Sequence, residues 1–229
     1  MPKIAPVAFL LDVDDTLFDG DRLVADLKSH LSQTLGNDRA QQYWTRLESL
    51  RVELGCVDYL GALQRYRLDN PCDQDCLGTS AFLLDYPFAR HLYAGALELI
   101  ARLQAWGPTV ILSDGDAVYQ PRKIERSGLF WAADGHVLIY IHKEQALADV
   151  ERQYPARQYV LIDDKLRILT AVKAIWRERV TTVFPRQGHY AHDPEVLATC
   201  PPADISVDRI DELLKYDLSV LVAAGQRQP

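Results

Sequence analysis

The stretch Val7-Ala8-Phe9-Leu10-Leu11-Asp12-Val13-Asp14-Asp15-Thr16-Leu17 decides the fold. An unbroken apolar run leads directly into a group of acids and a hydroxyl. A run this short, rich in Val, Leu and Phe, predicts a strand buried on both faces of a parallel sheet. Asp12, Asp14 and Asp15 lie close enough to repel one another, and a bound divalent cation relieves such repulsion. In open α/β sheets, ligands sit beyond the carboxyl ends of the strands. Asp12 and Asp14, two residues apart at the strand tip, are therefore candidate metal-site residues. The ordinary alternative is an Asp-rich turn after a strand, and the remaining strand ends decide between the two.

The chain has 229 residues, enough for one large domain or for a core with a smaller insertion. Its composition is that of an ordinary globular protein. A net charge of −7 announces no basic face, so nucleic acid is not an expected partner. The same charge repels anions, so a phosphate site needs local cations. No apolar run is long enough to span a membrane. The N-terminal segment carries Lys3 and an apolar run, but that run contains Pro6 and ends at Asp12 without a small-residue cleavage site. A strand is expected there rather than a signal peptide. Cys56, Cys72, Cys76 and Cys200 match no zinc spacing and read as reduced thiols, consistent with a cytoplasmic location. Nothing in the sequence sets an oligomeric state.

Helical patterns follow the first strand. Leu23, Leu27, Leu31 and Leu35 recur every four residues before Gly36, and Tyr43, Leu47, Leu50 and Leu54 precede Gly55. Further helices are expected near 57–68, ending before Asn70-Pro71, and near 75–85. This block is too long for a simple crossover. It predicts an inserted helical cap domain, residues 19–90, in an α/β core of residues 1–18 and 91–229. Strand and helix then alternate. A helix carries Leu97, Ile100 and Leu103. Strands are expected at 108–114, 137–141, 159–164 and 181–184, with a helix over 119–127 and helices after the third and fourth strands. The tail adds a short strand at 205–207 and a helix from about 208. The fold class is α/β, a Rossmann-like parallel sheet with helices on both faces.

The strand exits carry a coherent set of groups. The first ends in Asp12 and Asp14, the second in Ser113 and Asp114, and the fourth in Asp163 and Asp164, while Lys143 follows the third. Parallel strands present all these exits on one edge. Mg²⁺ takes a few carboxylates, waters and a phosphate, and a lysine and a hydroxyl can hold the remaining phosphate oxygens. That inventory suits phosphoryl transfer.

With these motifs in this order, the chain resembles the haloacid dehalogenase (HAD)-like hydrolase superfamily, in its phosphatase-type members with a helical cap. Asp12-Val13-Asp14-Asp15-Thr16 matches the D-x-D-x-T motif, Ser113 the second-strand hydroxyl, Lys143 the lysine, and Asp163-Asp164 the acidic pair. The resemblance implies a nucleophilic Asp12 and an Asp14 that acts as general acid and then base. It implies Mg²⁺ held by Asp12, the Asp14 carbonyl and Asp164, with Asp163 beside them. Ser113, with its neighbour Asp114, and Lys143 would hold the phosphoryl group, and Thr16 would fix the loop. Asp15, Glu144 and Ile168 depart from the usual pattern, and Lys165 adds a cation after the acidic pair.

Lys123 is the alternative phosphate lysine, although a solvated helix face is the simpler reading of it. Arg186 and His189 lie in a polar loop, where contact with substrate and structural packing are equally open. His30, His91 and His142 read as packing or surface residues. The implied activity is Mg²⁺-dependent hydrolysis of a small phosphorylated metabolite through an aspartyl-phosphate. The alternatives are a metal-independent 2-haloacid dehalogenase and a non-catalytic binding protein.

Overall fold

The first apolar run forms strand β1 (Ala5–Leu11) in the computed structural model, which describes residues 4–225. Lys3 and residues 226–229 lie outside the described residues. The other strands are β2 (Thr109–Asp114), β3 (Val137–Tyr140), β4 (Ala156–Ile162), β5 (Val180–Pro185) and β6 (Ile205–Val207). They pair in parallel in the order β3-β2-β1-β4-β5-β6. The chain therefore starts near the middle, winds outward to β3, and returns on the other side of β1 to β4. The connection from β1 runs to β2 on one side and that from the adjacent β4 runs to β5 on the other, which opens a crevice between the carboxyl ends of β1 and β4.

The register brings the exits together. Leu11 pairs with Ile111 of β2 and with Ile162 of β4, so Asp12 and Asp163 leave the sheet side by side. The Asp12 N–H donates to the Ile162 carbonyl at 3.0 Å.

Between β1 and β2 come α1 (Gly20–Leu35), α2 (Asn37–Leu54), α3 (Tyr59–Asp69), α4 (Cys76–Leu84) and α5 (Ala96–Gln104). Helices α6 (Tyr119–Arg126) and α7 (Leu129–Ala132) lead from β2 to β3. They are followed by α8 (Leu147–Gln153), α9 (Leu166–Trp176), α10 (Pro194–Thr199) and α11 (Leu218–Ala224). Asp19 caps α1 by accepting the Arg22 N–H, and its four-residue leucine stripe is buried.

Side chains of β1 alternate between two cores. Val7, Phe9 and Leu11 join a cluster that runs without a break into α1, α2, α3 and α5. Ala8 and Leu10 join a second cluster with α8 and α9. The helices between β1 and β2 thus share a core with one face of the sheet. All described cysteines are free thiols, and no helix among the described residues is long and apolar enough to cross a membrane.

Three expectations are corrected. Leu97 faces solvent, and Ala96, Leu99, Ile100 and Leu103 form the buried stripe of α5. Leu54 is likewise exposed at the end of α2. The helix expected from about 208 is a 3₁₀ segment, Ile210–Lys215, followed by α11, whose start is fixed by Asp217 accepting the Ser219 N–H at 2.9 Å. Helix α10 falls outside the expected elements, although Asp193 caps it and Pro194 opens it.

Phe9→Ala removes a fully buried ring and lowers stability by about 3–5 kcal/mol. Leu97→Ala stays within about 0.5 kcal/mol of the parent. Urea unfolding of both variants checks this assignment of faces.

Candidate active site

At the tip of β1, Asp12 is buried beside a buried lysine. Lys143 Nζ lies 2.5 Å from Asp12 Oδ1 and 2.6 Å from Asp163 Oδ2, and it donates to the Leu112 carbonyl at 3.3 Å. One ammonium thus joins the exits of β1 and β4 and reaches back to β2. Lys143 opens a 3₁₀ turn after β3, and its backbone N–H donates to Asp114 Oδ1 at 2.8 Å. The resemblance groups Asp114 with the phosphate-holding residues; its observed contact is this anchoring of the lysine backbone. Burial works against the Lys143 charge, but Asp12, Asp163 and Asp114 outweigh it and raise its pKa. Burial also lifts the Asp12 carboxyl above the ordinary range, against the pull of Lys143.

Asp164 is the adjacent acid. Its N–H donates to Thr16 Oγ1 at 3.0 Å, which ties the loop after β1 to the exit of β4. Burial drives its carboxyl well above the usual range. Both Asp164 oxygens and Asp12 Oδ2 are buried without a hydrogen-bond partner. Oxygens of Asp12, Asp163 and Asp164 lie within 4.8 Å of one another. Buried carboxylates left unpartnered are costly, and a divalent cation satisfies them. The all-oxygen donor set suits a hard ion. Lys165 stands at the rim. Its N–H donates to Asp163 Oδ1 at 2.8 Å, and its ammonium lies 5.2 Å from the Tyr190 ring centroid. Burial opposes its charge, but the field of Asp12, Asp164 and Asp163 raises its pKa well above the usual value.

Asp14 points to α6. Lys123 Nζ donates to Asp14 Oδ1 at 2.6 Å, and Gln120 Nε2 donates to Asp14 Oδ2 at 2.9 Å. The same Gln120 nitrogen lies 2.8 Å from Ser113 Oγ. Burial pushes the Asp14 carboxyl up, but Lys123 and Gln120 outweigh it and hold it below the usual range. Lys123 is only 3% exposed, which corrects its reading as a solvated helix residue: its charge is balanced by Asp14. Gln120 is absent from the residues expected at the site. The available signal was its spacing from Lys123, since residues three apart share a helix face.

Asp15 is a buried loop residue with φ of +58°, and its Oδ1 accepts the N–H groups of Gly20 and Asp21 at 2.9 and 3.2 Å. Gly188 fits against it: a Cβ there would lie 2.4 Å from Asp15 Cβ. Arg186 pairs with Asp208, and His189 with Asp21, so both residues of that loop are engaged within the protein. Gln187 donates to the Thr16 carbonyl at 3.2 Å. His30 stacks on Phe82 and His91 on Tyr86, as packing residues do. The turn between α2 and α3 meets the site's edge, where a Cβ on Gly55 would lie 2.6 Å from the His142 ring. Nearby, the rings of Tyr59 and Tyr119 meet edge to face at 5.3 Å.

Residues 7–186 match the family model for haloacid dehalogenase-like hydrolases. No curated protein matches the chain. Among solved structures, a haloacid dehalogenase-like hydrolase from Burkholderia xenovorans LB400 is 56% identical with a TM-score of 0.89, covering 93% of this chain and 99% of its own. A haloacid dehalogenase-like family hydrolase from Xanthomonas campestris is 20% identical with a TM-score of 0.66, covering 100% of this chain and 97% of its own. The L-2-haloacid dehalogenase of Xanthobacter autotrophicus is 17% identical with a TM-score of 0.60, covering 92% and 97%. The last two share the fold.

Burial, with Asp21 and Asp14 nearby, raises Asp15 to about 7. The folded protein therefore holds a proton that the unfolded chain has lost above pH of about 4. This group's contribution to stability is full below that pH and falls as pH rises to about 7. Asp15→Asn keeps an acceptor oxygen, and Asn tolerates positive φ. Its stability relative to the parent rises from pH 5 to 7 and then levels, as urea unfolding at stepped pH measures.

Proposed function

The chain belongs to the haloacid dehalogenase-like hydrolases, and from that membership we propose that it is a Mg²⁺-dependent phosphatase acting on a small phosphorylated metabolite through an aspartyl-phosphate. The observation that carries this reading is the group of unpartnered buried oxygens on Asp12 and Asp164. A site that buries such a donor set is suited to a hard cation and to a substrate that brings further negative charge.

In this reading the ester binds as its phosphate monoanion and passes that proton to Asp14, whose carboxyl Lys123 and Gln120 otherwise keep ionised. Asp12 attacks phosphorus, and the ester oxygen departs with the proton from Asp14. Asp14 then takes a proton from water, which attacks the phosphorus of the aspartyl-phosphate. Inorganic phosphate leaves and Asp12 is regenerated. Ser113 and Lys143 hold phosphoryl oxygens. Asp12, Asp164 and the Asp14 carbonyl would hold Mg²⁺, with Asp163 shared with Lys143; the ion, when bound, neutralises charge on the phosphoryl group. Residues 19–90 act as a cap over the core of residues 1–18 and 91–229. The cap excludes water and selects the leaving group, a role supported by the contacts of Gly55 with His142 and of Tyr59 with Tyr119.

The competing chemistry is metal-independent displacement of halide from a 2-haloacid. The likeness to dehalogenases lies under 25% identity and speaks to fold. Asp14 and Asp164 count against this route, because neither is needed for attack on carbon and both are costly to bury in a halocarbon pocket.

A panel of phosphate esters assayed with Mg²⁺ releases inorganic phosphate, and EDTA abolishes the release until Mg²⁺ is returned. Asp12→Asn folds and loses turnover by at least about 10³-fold, as expected when a covalent nucleophile is removed. Halide release from 2-haloacids in EDTA, with no phosphate release from any ester, would overturn the proposal.

A further inference from the structure

We infer that Gln120 and Lys123 are positioning residues that aim Asp14 at the departing oxygen and lock it to the phosphate-holding hydroxyl of Ser113. The inference rests on the phosphatase reading and adds two residues to it.

Both oxygens of Asp14 are held from one helix. Lys123 takes Oδ1 at 2.6 Å, and Gln120 takes Oδ2 at 2.9 Å. Two donors on separate oxygens fix the plane of the carboxyl group as well as its place. A single donor would leave it free to turn. The Gln120 amide nitrogen also meets Ser113 Oγ at 2.8 Å, so one nitrogen sets the spacing between the acid and the hydroxyl. Gln120 is held in turn by a close backbone approach, since a Cβ on Gly115 would lie 2.6 Å from the Gln120 Cβ.

Lys123 is set in place by its surroundings. It is 3% exposed, and its ammonium lies 5.5 Å from the Phe18 ring centroid and 5.4 Å from that of Tyr119. Aromatic faces of this kind hold a cation while leaving its hydrogen-bonding directions free. Asp14 remains 31% exposed, so it is reachable from outside while its two partners are buried. This arrangement suits a proton-transfer group whose direction matters. The donors belong to α6 and not to the helices α1–α4, so the aim of Asp14 is set by the sheet side of the site.

The consequence is a dependence on the leaving group. A p-nitrophenolate departs without a proton, whereas an alkoxide needs one, so misdirecting the general acid affects alkyl esters selectively. General acid–base catalysis contributes about 10²–10⁴-fold. Lys123→Met should lower kcat/KM, which reports formation of the aspartyl-phosphate and not its shared hydrolysis, at least about 10-fold more on glycerol 2-phosphate than on p-nitrophenyl phosphate. Lys123→Arg should recover part of that loss. Gln120→Leu leaves every ion pair in place and should show the same selectivity, which keeps the test open if Lys123→Met does not fold. Equal losses on the two esters would overturn the inference, because a general structural defect does not distinguish them. If the parent enzyme hydrolyses neither ester, an alkyl and an aryl ester that it does hydrolyse take their place. If it hydrolyses no ester of the panel, the phosphatase reading fails, and crystal structures of the same variants decide the positioning role separately. A rotated or displaced Asp14 carboxyl supports it, and an Asp14 unchanged without its donors overturns it.

Discussion

The ammonium of Lys143 is the point on which the site depends. Buried between Asp12 and Asp163, it is the charge that allows two acids to leave adjacent strands side by side. Asp114, at the end of β2, holds the backbone of the same lysine. Contacts of one residue therefore join the carboxyl ends of β1, β2 and β4 with the turn after β3. Breaking a buried ion pair from one side costs about 3–5 kcal/mol, because the other charge is left uncompensated. The sheet order matters for the same reason: with β1 flanked by β2 and β4, these groups meet a single ammonium.

The lysines are also largely committed. Lys143 serves Asp12 and Asp163, Lys123 serves Asp14, and Lys165 lies in the field of Asp12, Asp164 and Asp163. Asp164 and one oxygen of Asp12 remain without hydrogen-bond partners. A phosphoryl group would bring more negative charge to a chain that is already net −7. A divalent cation meets both needs, satisfying the protein's oxygens and offsetting the charge of the substrate. The proposed use of a metal thus rests on the unpartnered buried oxygens as well as on family resemblance.

The strand ends were legible in the sequence because they break a pattern sharply. A buried apolar strand gains nothing by turning at once into Asp12, or into Asp163 and Asp164, unless the acids are used, and the order of those runs fits a parallel sheet. Lys123 was harder to read. A lysine on a helix is by default solvated, and its partner Asp14 lies 109 residues away, so only the fold brings the pair together. Gln120 carries no charge and belongs to no motif, and its task depends on the placing of α6 beside Asp14. Leu97 was misplaced because apolar residues occur on both sides of the true stripe of α5, and rotation of a short helix is weakly specified by its pattern. In the tail, capping by Asp193 and Asp217 set the helix starts where apolar spacing was uninformative.

The claim that Asp12 attacks phosphorus is tested most directly by trapping the enzyme during turnover. Acid quenching, proteolysis and mass spectrometry of the peptide bearing Asp12 should reveal a phosphoryl group after exposure to a phosphate ester with Mg²⁺. The same peptide should be unmodified after exposure to a 2-haloacid. A carbon ester on Asp12 from the haloacid, with no phosphoryl adduct from any phosphate ester, would contradict the account.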